Sequence, residues 1–162
     1  LLAYWLYLRF GISEAALGSV FFVANLLAGA SALLASRLAA RFGLINTMVF
    51  THLPSNILLC LVPFMPSLSS ALAVLLVRFT ISQMDVPTRQ SYTMAVVDPD
   101  ERSAASGVTT IARSLGAALS PALSGGLLAL SMHAPFLLAG GLKIIYDLAL
   151  YRSFKALKPE EE

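Results

Sequence analysis

RFTISQMDVPTRQSYTMAVVDPDERSAASGVTTIAR, residues 78–113, decides how this chain folds. It reads as two membrane-crossing helices joined by a tight acidic turn, Asp98-Pro99-Asp100-Glu101-Arg102, with Arg78, Asp85, Arg89 and Arg113 inside the helices. A charged side chain near the bilayer centre costs about 2.5–3.5 kcal/mol on insertion scales. Such residues persist where they face a bundle interior, a partner charge or a water-filled path. The stretch therefore predicts an all-α, polytopic membrane bundle that moves something.

The composition agrees. Of the 162 residues, 57% are hydrophobic and 12% charged, against about 25% charged in an ordinary soluble domain. Most of the surface must then face lipid, and the mean hydropathy is +0.78. A net charge of +2 lacks the basic footprint of a nucleic-acid binder. Cys60, the single cysteine, stands in an apolar run, so the sequence offers no intrachain disulfide, CxxC motif or cysteine metal site. Neither a metal nor a cofactor is expected. The chain opens on Leu1-Leu2-Ala3 without the basic segment and cleavage site of a signal peptide, and is expected to begin partway along a longer protein.

About 20 mostly apolar residues cross the hydrocarbon core. Five stretches qualify, roughly 14–36, 44–65, 69–97, 103–131 and 134–154. Residues 1–10 read as the tail of another, with Tyr4, Trp5 and Tyr7 as an interfacial belt. Turn and breaker residues separate them: Gly11-Ile12-Ser13, Arg37 to Gly43, Pro63 to Pro66, Asp98 to Arg102, and His133-Ala134-Pro135. Connections this short make consecutive helices antiparallel neighbours. One side of the membrane then collects Arg37, Arg41, Arg102, Arg152, Lys155 and Lys158, and the other only Arg9. The positive-inside bias makes the first side cytoplasmic, together with the tail 155–162.

At about 100° per residue, Arg78, Ser82, Asp85, Arg89 and Tyr92 share one face of the 69–97 span. Asp85 and Arg89 form an i,i+4 pair, and Pro87 between them should bend the helix. The next span carries a matching stripe, Ser106, Thr109, Arg113, Ala117, Ser120 and Ser124. Counted from the turn, Arg113 lies between Asp85 and Arg89 in depth, so a cluster with Asp85 bridging both arginines is expected. Lys143 and Asp147 make a second i,i+4 pair at similar depth. Two readings stay open for these pairs: a gate or coupling-ion path, or plain neutralisation that pins helix rotation. The 14–36 span presents Gly18, Phe21, Asn25, Gly29, Ala32 and Ser36 on one face, a packing seam in which Asn25 could bond a substrate or a neighbouring helix. His52 and Asn56 share a face, and His52 can titrate; Asp85 is nevertheless the first choice of proton site. His133 falls in an outer loop. Gly116 to Gly126, dense in small residues around Pro121, suits either a hinge or a sliding contact.

Three pieces carry a family resemblance. Ala35-Ser36-Arg37-Leu38-Ala39-Ala40-Arg41-Phe42-Gly43 lies between two spans as a short basic loop, without an acidic residue. Arg78 precedes a span end and the run Asp98-Pro99-Asp100-Glu101-Arg102-Ser103-Ala104-Ala105-Ser106-Gly107. Gly116 to Gly126 follows as a Gly/Pro-rich helix. In this order they resemble the major facilitator superfamily of secondary transporters, specifically a C-terminal half. Met84-Asp85-Val86-Pro87-Thr88-Arg89-Gln90-Ser91-Tyr92 looks like a signature of prokaryotic members. The resemblance implies that residues 1–162 are helices seven, truncated, to twelve. It implies a prokaryotic cytoplasmic membrane as the location and an N-terminal half as partner. A small-molecule substrate would bind between the halves, with a proton or sodium as coupling ion, or none in a facilitator.

The leading expectation is thus solute transport by alternating access, with Arg78, Asp85, Arg89, Arg113, Lys143, Asp147 and Asn25 on the substrate or ion pathway or its gate. Arg37, Arg41 and Gly43 form the loop motif, and Pro87, Gly116 and Pro121 the hinges. The alternative is a truncated, non-transporting membrane protein or assembly partner. An enzyme is not expected: HExxH, GxSxG and P-loop motifs are absent, and no paired carboxylates stand at catalytic spacing.

Overall fold

The computed structural model describes residues 1–154. The expected cytoplasmic tail, with Lys155 and Lys158, lies outside the described residues. Among these the chain forms α1 (Leu2–Phe10), α2 (Glu14–Phe42), α3 (Leu44–Leu61, prolonged by a 3₁₀ turn, Val62–Phe64), α4 (Leu68–Ile81), α5 (Asp85–Val96), α6 (Arg102–Leu130) and α7 (Ala134–Phe154), and no strand. Glu14–Phe42, Leu44–Phe64, Leu68–Val96 and Ala134–Ser153 are long and apolar enough to cross a membrane. The protein is an all-α polytopic membrane bundle. Helix α6, expected as a further full span, has the length, 29 residues, but its serines, threonines and Arg113 dilute its apolar character.

Local chemistry sets most boundaries. Ser13 has extended backbone and accepts the Ala16 N–H at 3.4 Å, with Glu14 in the first turn of α2 where the helix dipole favours it. Ser67 and Ser70 cap α4 reciprocally. Gly43 alone turns α2 into α3, at φ +84°, a value that an L side chain adopts only under strain. The expected loop from Arg37 is helix up to Phe42, because Leu38, Ala39 and Ala40 are strong helix formers and no breaker precedes Gly43. Arg37 and Arg41 are exposed there.

The expected 69–97 helix is two helices. It breaks at Ser82-Gln83-Met84, one turn before Pro87. Proline lacks the N–H that would bond the carbonyl four residues back, Gln83, and its ring crowds that carbonyl. The chain resolves this by ending α4 and starting α5 with Pro87 in the first turn, where a missing N–H costs nothing.

Helix α3 occupies the middle, packed on α2, α4, α5 and α7, while α2 also touches α4 and α5. Its contact with α7 is close because Gly140 has no side chain. A Cβ there would collide with Sγ of Cys60 and sit 3.0 Å from the Asn56 carbonyl oxygen. The buried stripe of α2 is Ala24, Ala28, Ser31 and Ala35, one residue, or about 100°, before the expected seam. Gly18, Asn25, Gly29 and Ser36 are exposed instead. Near the Gly11 end, Trp5, Leu6, Ile12, Val62, Leu75 and Phe136 form an apolar cluster. Trp5 is 0% exposed and packs edge-on at 5.1 Å against Phe136. It is a core residue rather than part of an interfacial belt, though Tyr4 and Tyr7 are exposed as expected. Helix α6 touches α7 and α5 and buries no residue.

Candidate functional site

The apolar packing gives way to charge toward the Gly43 end. From Gly43 to His52 is about 13 Å of helix rise. His52 and Asn56, one turn apart on α3, are both buried and point between α5 and α7. His52 Nδ1 lies 2.9 Å from each carboxylate oxygen of Asp147 on α7. Asn56 Nδ2 donates to Asp147 Oδ2 at 2.9 Å and lies 3.2 Å from His52 Nδ1. On the other side of the ring, Nε2 is 3.8 Å from Asp85 Oδ2, and Arg89 Nη2 donates to the same oxygen at 2.7 Å. One polar chain, Asp147–His52–Asp85–Arg89, thus ties α7, α3 and α5 together.

Burial makes this arrangement consequential. Asp147 is 2% exposed, Asp85 5% and His52 7%. Removing one partner of such a buried set leaves an uncompensated charge. Nδ1 faces both carboxylate oxygens of Asp147 at 2.9 Å, so Nδ1 carries a hydrogen, and the Asn56 amide nitrogen gives its own hydrogen to Asp147. Nε2 carries one as well only when the ring is an imidazolium. In that state Arg89 and His52 balance Asp85 and Asp147, and without that proton one carboxylate charge is uncompensated.

Two expected pairings are corrected. Arg113 does not join Asp85; it is exposed on α6, and Asp85 takes His52 as its second neighbour because α3 lies between α5 and α7. Lys143 does not pair with Asp147. Asp147 points into the α3 contact and Lys143 is exposed on another part of α7. Asp85–Arg89 is an ion pair as expected. Arg78 is half-buried, lies 5.5 Å over the Phe79 ring, and its Nε is buried without a partner. Asn25 donates to its own Phe21 carbonyl at 2.8 Å on the exposed face. Gly116 and Pro121 lie within an unbroken α6. His133 stacks on Phe64 at 4.9 Å. A cleft of about 600 Å³ near the Gly43 end, bordered by Ser36, Gly43, Pro87 and Ser91, holds none of these charges. The sequence did carry one signal for the missed member of the cluster: His52 and Asn56 are polar residues one turn apart in an apolar span. Nothing in one dimension places them beside Asp147.

Comparison with known proteins agrees with this architecture. The Major Facilitator Superfamily model matches residues 1–162. An uncharacterized membrane protein of Saccharomyces cerevisiae is 26% identical over 152 residues, covering 92% of this chain and 34% of its own length. The chain therefore spans about a third of that relative. No solved structure matches the chain significantly.

Proposed function

As this chain belongs to the Major Facilitator Superfamily, we propose that it is the C-terminal half of a transporter that carries a small solute by alternating access, coupled to a proton. The observation that carries this reading is the buried imidazole of His52 between Asp147 and Asp85. Imidazole is the side chain whose ordinary titration falls between about pH 5 and 8. Here a proton changes the charge balance of an enclosed cluster shared by three helices. The two protonation states then favour different packings of α3, α5 and α7, which is what a coupled transport cycle needs. A sodium ion is less suited, since Asp85 already faces Arg89 and His52 and Asp147 is spent on His52 and Asn56.

Other features support the same reading. Arg37, Arg41, Arg102 and Arg152 gather at the Gly43 end, which supports a cytoplasmic position for that end. The break before Pro87 gives α5 freedom to tilt against α4, with Gly116 and Pro121 as further hinge points in α6. The exposed face of α2 and all of α6 are rich in small residues, which in lipid favour close helix approach; an N-terminal half would cover them.

The test uses proteoliposomes of the full-length transporter loaded with a small-metabolite extract. An imposed pH gradient should drive release of at least one solute that protein-free vesicles retain. His52→Gln should still let that solute equilibrate but abolish its movement against a gradient. Absence of any released solute from the wild type would reject transport; unchanged gradient-driven movement in His52→Gln would reject the coupling site.

A further inference from the structure

A cleft of about 130 Å³ lies between α5 and α6, and its wall includes Arg89, Gln90, Thr93, Ser106, Thr110 and Arg113. Two guanidiniums border one small cleft on helices of a membrane bundle. Arg89 gives one terminal nitrogen to Asp85, while its Nε is buried and has no partner. Its guanidinium lies 5.2 Å over the Tyr146 ring, which fixes its plane. Arg113 is exposed and has no ion pair among the described residues. The Thr93 and Thr110 hydroxyls already donate to the carbonyls of Arg89 at 2.9 Å and Ser106 at 2.8 Å. The charged donors left at the cleft are therefore the two arginines.

Arg78 and Lys143 likewise have no ion pair among the described residues. An unpaired guanidinium inside a membrane calls for an anion. Guanidinium forks match planar or tetrahedral oxyanions. With about 30 Å³ per water as a scale, the cleft has room for a headgroup of a few heavy atoms.

Resting on the transport reading above, we propose that this cleft receives the anionic headgroup of the transported solute (a carboxylate, phosphate or sulfonate), held between Arg89 and Arg113. An anion at Arg89 offsets part of the guanidinium charge that opposes a proton on His52, whose charged surroundings are Asp147, Asp85, Arg89, Arg78 and Lys143. Anion and proton then favour each other's binding, and linkage makes the effect reciprocal. Coupling of this sign suits movement of solute and proton in the same direction.

The experiment reads the cleft with an organic anion and needs no known substrate. In the full-length protein with other thiols replaced, Arg113→Cys, and separately Thr110→Cys with Arg113 intact, is labelled by an ethylsulfonate and by a trimethylammonium methanethiosulfonate. The ratio of the two rates cancels thiol ionisation. Relative to a free thiol it should favour the sulfonate about ten-fold or more, and it should rise on acidification in the protein with His52 but not in His52→Gln. A ratio equal to that of a free thiol, or one favouring the cation, overturns the proposal. Labelling does not depend on turnover, so a transport-dead protein with the expected ratio would reject the transport reading and keep the anion site.

Discussion

At the residue scale, Asp147 decides most. It accepts from His52 and Asn56 together at 2.9 Å while only 2% exposed. Asp147→Ala strands a buried imidazole and an amide, and should cost about 3–5 kcal/mol. Asp147→Asn keeps an oxygen for one of the two donors and should cost clearly less. Thermal unfolding in detergent checks both; equal losses would mean that Asp147 matters for its volume rather than its charge. The same residue marks the limit of a linear reading. Within one helix the visible partner of Asp147 is Lys143, one turn away, whereas its real partners stand 95 and 91 residues distant on α3. By contrast Asp85–Arg89 is legible, because both members lie on one helix with side chains already neighbours.

At the scale of elements, the α3–α7 contact holds the cluster together, and Gly140 permits it. Gly140→Ala sets a methyl against Cys60 Sγ and the Asn56 carbonyl, so α7 must back away or α3 must shift. Overpacking of this kind costs about 1–3 kcal/mol. Gly141→Ala, with nothing within 4 Å of its Cβ, should leave the melting temperature unchanged. Adding Cys60→Ala to Gly140→Ala removes the nearest obstacle and should restore part of the loss, the Asn56 carbonyl remaining. A Gly140→Ala protein as stable as wild type would mean that α7 has room to yield. The starts of α2 after Ser13 and of α3 after Gly43 were readable in the sequence as turn positions, whereas the last turns of α2, Arg37 to Phe42, were expected as a loop. The interruption at Ser82–Met84 was expected only as a bend at Pro87, because the crowding acts on a carbonyl one turn earlier. Which face of α2 turns inward was misread by one residue. A stripe of glycines marks a close approach without naming the neighbour, and the neighbours of α2 here choose Ala24, Ala28, Ser31 and Ala35.

At the scale of the whole molecule, hydropathy and short connections settle the class of fold, since a chain with so few charges has few ways to satisfy its backbone in lipid other than helices. Orientation is a separate matter, governed by where Lys and Arg fall. Arg37 and Arg41 close α2, Arg102 opens α6 and Arg152 lies in the last turn of α7, all at the Gly43 end, while Arg9 stands at the Gly11 end. Retaining basic residues on the cytoplasmic side of short loops fixes one insertion topology over its inverse. Two positions at opposite ends report the outcome: Ser67, ahead of α4, and Asp100, in the turn before α6, both exposed. In intact cells expressing the full-length protein without other thiols, Ser67→Cys should react with a membrane-impermeant maleimide. Asp100→Cys should react only after the membrane is opened. The reverse pattern would place the Gly43 end outside, and with it the His52 cluster nearer the outer face. On the proposed coupling, the proton would then load from the opposite side, although the cluster's internal geometry would stay the same.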